Sequence, residues 1–180
     1  IRNLLYLASI AAGSATAYTM PVDPPDKTVR VFYIRPTDVA ANPKMATGIA
    51  SVMKDAQRYF LDQCGFTFQL NEPIVELVDG SHARSWYEDN PAGGSDDYWR
   101  AVNNGQEDLL KLVPSVKADG NRKRWKIVYY IDAEGQGAGG GGGGGWVLLP
   151  KHDADGALGY PKDKARWVGG MSHELGHCFG

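Results

Sequence analysis

Close to the C-terminal end, Ser172-His173-Glu174-Leu175-Gly176-His177 sets two histidines four residues apart, with a glutamate directly after the first. That spacing dictates both a backbone conformation and a chemistry. Residues i and i+4 stand over one another on one face of an α-helix, so a helix lets His173 and His177 offer imidazole nitrogens to a single metal ion. Glu174 can then reach a water on that metal without ligating it. Two neutral nitrogens, with room for a third ligand and a water, describe an open zinc site and not a closed structural one. The stretch implies a zinc hydrolase in which His173 and His177 hold Zn2+ and Glu174 is the general base. Leu175, Gly176, Cys178 and Phe179 are uncharged, as a helix backed onto a core requires. Gly176 and Gly180 would each cost up to ~1 kcal/mol against alanine on an exposed helix. Cys178 sits ~100° around the helix from His177 and points away from a metal held there.

A chain of 180 residues can bury the core such a helix needs within one domain. Its 43% hydrophobic and 22% charged residues are ordinary for a soluble globular protein. A formal charge of -2 gives no electrostatic basis for a nucleic-acid partner, and Arg122-Lys123-Arg124 reads as a solvated turn before a strand. At the other end, Arg2 precedes the apolar run Leu4 to Ala12 and then Ala15-Thr16-Ala17. A basic residue, a short apolar run and an Ala-x-Ala site make a secretory signal peptide, too short to span a bilayer. Residues 1–17 are therefore expected to be part of a signal peptide, leaving a secreted protein without membrane attachment once cleaved. Residues 18–28, with Pro21, Pro24 and Pro25, read as a linker, and 29–180 as the N-terminal part of a catalytic domain. Cys64 and Cys178 do not make a disulfide scaffold, and free buried thiols are the expectation.

Val29 to Ile34 is β-branched and aromatic up to Pro36, a first strand. From Pro43 to Cys64, Met45, Ile49, Val52, Met53, Ala56 and Phe60 recur at helical spacing, and Gly65 supplies a stop. Phe66 to Leu70 begins a second strand, resumed at Ile74 to Val78 after Pro73. Ser81 to Asp89 is a short helix or turn, and Asp96 caps a helix running to Leu112. Trp125 to Asp132 is nearly continuously apolar, as suits a central strand covered on both faces. Strands alternating with helices predict an α/β sheet with right-handed crossovers. Gly135-Gln136-Gly137-Ala138 and seven consecutive glycines, Gly139 to Gly145, then contain G-x-G-x-x-G. No helix opens on them, as a dinucleotide fingerprint would need. Polyglycine loses much backbone entropy on ordering, so a mobile loop is expected here, feeding an edge strand at Trp146 to Leu149 before Pro150. Lys151 to Gly156 reads as a solvated turn that lacks the acids of a calcium loop. The last helix is expected to start near Lys164 or Ala165.

His173-Glu174-Leu175-Gly176-His177-Cys178-Phe179-Gly180 matches H-E-x-x-H-x-x-G. Over these residues the chain resembles the metzincin zinc peptidases, the clan of astacins, serralysins, adamalysins and matrix metalloproteinases. The resemblance implies His173 and His177 as zinc ligands, Glu174 as general base, and protein or peptide as substrate. It implies Gly180 as the turn towards a third ligand three residues further on. The fold it implies is α/β: a metzincin-like N-terminal subdomain, its twisted mixed sheet carrying an antiparallel edge strand and packed on helices, with the active-site helix at the C-terminal end. In that clan the edge strand before this helix binds extended substrate. Trp146, Val147, Leu148 and Leu149 stand in that place and are the expected substrate-binding strand, by β-augmentation. With the third ligand and a methionine turn placed beyond Gly180, the 180-residue piece alone should be inactive. Two further readings share the motif. One is a hydrolase of another clan whose third ligand is a distant glutamate, which Gly180 disfavours. The other is a secreted non-catalytic metal-containing binding domain, which has no use for Glu174.

Overall fold

The computed structural model describes residues 24–120, 122–135 and 140–180. The signal peptide expected at 1–17 and most of the linker expected at 18–28 lie outside the described residues. The elements run β1 (Thr28–Arg35), α1 (Pro43–Cys64), β2 (Gln69–Asp79), α2 (Arg84–Asp89), α3 (Asp97–Leu112) and α4 (Pro114–Ala118). They continue with β3 (Lys126–Ile131), β4 (Gly141–Gly143), β5 (Trp146–Leu149), α5 (Lys151–Leu158) and α6 (Lys164–Phe179).

One mixed sheet has the order β2-β1-β3-β5-β4. β1 pairs in parallel with β2 and β3, β3 in parallel with β5, and β4 is antiparallel to β5. Successive side chains on a strand face opposite ways, so β1 and β3 supply two cores. Val29, Val31, Tyr33, Val128 and Tyr130 join α1, α5 and α6 on one face. Phe32, Ile34, Ile127, Tyr129 and Ile131 join α2, α3 and α4 on the other. The central strand expected at 125–132 is therefore covered on both sides. α1 buries the six apolar residues its periodicity marks. Asn42 Oδ1 accepts from Lys44 N at 3.0 Å to start it, and Gly65 ends it at φ 71°. Asp96 caps α3 through Tyr98 N at 2.9 Å. Among the described residues, no helix is long and apolar enough to cross a membrane.

An ion pair ties β1 to β2 inside this sandwich. Arg30 Nε and Nη2 donate to Glu76 at 2.9 and 2.7 Å, the two side chains being 0% and 1% exposed. Ser115 Oγ takes Nη1 at 3.1 Å, and the guanidinium carbon lies 4.9 Å from the Phe32 ring centre and 4.7 Å from that of Trp125. One cation thus joins β1, β2, α4 and the residue that leads into β3.

Four expectations change. The two pieces of the second strand are continuous as β2, and the register against β1 shifts between Val29 and Val31. β2 is an edge, where a proline and a bulge are tolerated. Lys151 to Gly156 is not a solvated turn but most of α5, because Ala154 and Ala157 are buried in the core against α1. Gly48 makes that contact possible: a Cβ there would meet Ala157 O at 2.2 Å. Arg122 is buried and not solvated, with its guanidinium donating to Val116 O and stacked 4.7 Å over Trp146. Of the two free thiols, Cys178 is buried but Cys64 is exposed.

Removing one partner of a buried ion pair leaves the other charge uncompensated, at about 3–5 kcal/mol. Glu76→Ala should lower the unfolding free energy by that amount in urea titrations, far more than substitution of the exposed Asp79, which pairs with Arg35 at 2.6 Å.

Candidate metal centre and cleft

α6 buries Val168, Met171, Ser172, Leu175 and Cys178. Cys178 Sγ donates to Trp146 O at 3.2 Å, and Phe179 meets Phe60 and Phe68 at centroid distances of 5.6 and 5.8 Å. With that face fixed, His173 and His177 project from the opposite face, both exposed. Their Nε2 atoms lie 3.2 Å apart, with the rings at 89° to each other. Two nitrogens each about 2.0–2.1 Å from a zinc, at a tetrahedral angle, would stand about 3.3 Å apart. The imidazole pair fits that ion. Among the described residues no group of three His, Cys, Asp or Glu converges as a complete metal site. His152 lies elsewhere, against Arg166 Nη2 at 3.0 Å.

A cleft of about 460 Å³ opens over the two histidines and Glu174, walled by Trp99, Gly140 to Gly143, Trp146 and Leu148. The expected edge strand, Trp146 to Leu149, is not an edge. β5 is paired on both sides, with β3 and with β4, so its backbone has no free hydrogen-bonding row for a substrate. Trp146 and Leu148 do line the cleft, whereas Val147 and Leu149 are 0% and 3% exposed and belong to the core. Among the described residues the free edge belongs to β4, made from the polyglycine expected to be mobile.

Glycine is required in β4 by close approach. A Cβ on Gly142 would sit 2.3 Å from the carbonyl oxygen of Glu174, and one on Gly141 would sit 2.2 Å from the Trp99 ring. Gly144 and Gly145, at φ 57° and 84°, form the two-residue loop that returns the chain to Trp146, with the left-handed backbone that tight hairpins favour. Glycine inside a strand marks a site where another backbone comes near. That signal in residues 141–143 could have revealed the missed strand.

A second cavity of about 390 Å³ adjoins the cleft at Gly140 and Glu174 and is lined by Tyr98, Leu149, Asp153, Arg166, Trp167 and Gly170. The sequence offers Asp153 only as one of the oxygen donors of the turn expected at Lys151 to Gly156; it reaches the cavity from the first turn of α5. Burial pushes its carboxyl up to about 6; His152 and Arg166 oppose the rise and Glu174 adds to it. Among the described residues, the buried Asp153 Oδ2 has no hydrogen-bond partner.

The sequence matches no protein-family model and no curated protein. Among solved structures it is similar to wild-type OgpA from Akkermansia muciniphila, 16% identical with a TM-score of 0.53 over 94% of this chain and 52% of that one. Catalytically inactive OgpA in complex with an O-glycopeptide, glycodrosocin, gives 14% identity and a TM-score of 0.47 over 94% and 52%. Metalloproteinase-II from Bacteroides fragilis gives 17% and 0.46 over 89% and 44%. At 16% identity the likeness to OgpA is one of fold, a mixed sheet packed on helices. The chain spans about half the length of these solved chains.

Two measurements follow from the geometry. Gly142→Ala forces a methyl into the α6 backbone and should cost about 1–3 kcal/mol in thermal or urea unfolding. For Asp153, the folded pKa lies above the unfolded 3.8, so ionising it opposes folding. That cost is absent below about pH 4 and complete above about pH 6. Asp153→Asn should therefore gain stability over the parent chain as pH is raised through that window.

Proposed function

We propose that the chain is the N-terminal part of a secreted zinc endopeptidase of metzincin type, with His173 and His177 as metal ligands and Glu174 as general base. The observation that carries this is the pair of imidazole nitrogens 3.2 Å apart on the floor of the cleft. An open zinc site takes three protein ligands, and we assign the third to residues following Gly180, which ends α6 with φ 101°. When bound, zinc supplies a Lewis acid that polarises a carbonyl and lowers the pKa of water to about 7.

The remaining work falls to the chain's own groups. Glu174 is half-buried beside the histidines and faces both the cleft and the cavity next to it. Its carboxylate takes a proton from the attacking water and returns it to the departing amine nitrogen. An extended substrate adds to the sheet along the free side of β4, where side chains are absent and backbone amides and carbonyls can pair with it. Trp99 and Trp146 close the walls of the cleft. Secretion is supported by the basic, apolar and Ala-x-Ala order within residues 1–17.

In the full-length protein, atomic absorption should find about one zinc per molecule, as a three-ligand site requires. Glu174→Gln should keep that zinc and lose about 10²–10⁴-fold of its casein-cleaving activity. Cleavage by this variant at the parent rate removes Glu174 from the mechanism. Casein left intact by the zinc-loaded parent protein removes the peptidase assignment.

A further inference from the structure

The two faces of β4 are filled differently along its length. Successive residues of a strand face opposite ways. The register pairs Gly141 with Leu148 and Gly143 with Trp146, which puts both glycines on the α3 side of the sheet, where Trp146, Leu148 and Trp99 pack. Gly142 turns the other way, onto the carbonyl of Glu174. Over Gly141 the α3 side is already occupied, because a Cβ there would lie 2.2 Å from the Trp99 ring. Over Gly143 it is open: among the described residues, a Cβ there would meet nothing within 4 Å. A hollow is left, floored by the Gly143 backbone, with Trp99 beside it and Trp146 of the neighbouring strand at its back. Gly143, Trp99 and Trp146 all line the cleft, and both rings are partly exposed, so an incoming group can reach them. Among the described residues lining the cleft, none but His173, Glu174 and His177 is ionisable. Trp146 already carries the Arg122 guanidinium, 4.7 Å from its ring centre.

We propose that this hollow is a subsite for one aromatic side chain of the substrate, Phe or Tyr, on the residue that pairs opposite Gly143. The proposal rests on the peptide pairing along β4 put forward above as part of the peptidase function. A strand added there lies about 4.8 Å from β4. Residues directly opposite one another share a face, so the substrate residue across from Gly143 sends its side chain to the α3 side. With no Cβ to meet on Gly143, that side chain can lean over the glycine towards Trp146. Trp146 belongs to the second strand in, about 10 Å from the substrate backbone, and a short side chain does not span the gap. A ring leaning over the glycine can bring the two ring centres to the roughly 4.5–7 Å at which aromatic pairs attract. An aromatic residue across from an edge glycine also covers the backbone that the glycine leaves bare. Leu fills part of the hollow without the ring contact, and Ala leaves it empty. Lys or Glu would bring a charge against an apolar wall with no counter-charge, and for Lys the Trp146 ring already holds a cation. The substrate residue two positions away, opposite Gly141, faces the same side but finds Trp99 over its glycine. The aromatic preference is therefore confined to one position.

The test uses the full-length, zinc-loaded protein and internally quenched peptides carrying Phe, Tyr, Leu, Ala, Lys or Glu at each of three positions on either side of the cleaved bond. At one position only, Phe and Tyr peptides should be cleaved with kcat/KM about tenfold or more above Ala, Lys and Glu, and about threefold above Leu. In Trp146→Leu the Phe-to-Leu ratio at that position should fall to near one, and a ratio taken within one variant is not moved by a loss of folded protein. The parent protein's own ranking needs no variant to fold. The same peptides, labelled and titrated by fluorescence anisotropy into zinc-loaded Glu174→Gln, should bind in the same order of Kd. Cleavage without an aromatic preference at any position overturns this proposal alone, as does a preference that Trp146→Leu leaves intact. Peptides bound in the expected order but never cleaved by the parent protein overturn the peptidase function and leave the aromatic subsite standing. If no peptide is bound or cleaved, both fall.

Discussion

The cleft depends on one contact between two backbones: the strand at Gly142 lies directly on the helix at the carbonyl of Glu174. A side chain between them would lift β4 away from α6 and widen the gap over the histidines. The residue that carries the carboxylate is thus also the residue on which the free edge of the sheet rests. His173, His177, Glu174 and the edge strand are held to one scale because strand and helix share a single van der Waals surface. Dispersion forces fall away steeply with separation, so such a contact is kept closely or not at all.

The other half of the support comes from the buried face of α6. Leu175 and Met171 join the core formed with α1, and Phe179 completes an aromatic cluster with Phe60 and Phe68. Residues on one side of a helix fix the rotation that the opposite side must have. With the apolar side committed, His173 and His177 have no choice but to face the cleft. The imidazole geometry is in this sense a property of the core, set by side chains that never touch the ligand space.

Where the sequence is legible, a single local rule decides. The helix at 43–64 has a cap, a periodic face and a glycine stop, and it appears with those bounds. The apolar run at 126–131 becomes the doubly covered strand. His173, Glu174 and His177 come together because the i, i+4 spacing already specifies their relative placement. Misreadings arise where a distant partner overrides local preference. Polyglycine is entropically costly to order by itself, and only the nearby α6 backbone and Trp99 make it the one composition that fits. Lys151 to Gly156 looks like a turn until α1 presents Gly48 to Ala157. The order of β4 and β5 in the sheet could not be told from composition, since Trp146 to Leu149 has the residues of any buried or edge strand. Asp153 looks like one more oxygen donor in a polar turn, because the cavity it lines is completed by α6, which arrives from elsewhere in the chain.

Arg122 sits outside the cleft, yet it stacks on Trp146, and its Cβ lies where a side chain on Gly145 would go. It comes from the loop after α4, on the face of the sheet away from α6. The hairpin that edges the cleft is thereby clamped from behind by a segment that lies outside it. A change in that remote loop can alter the width of the cleft while leaving His173, Glu174 and His177 in place, a lever on its shape that is separate from the groups it holds.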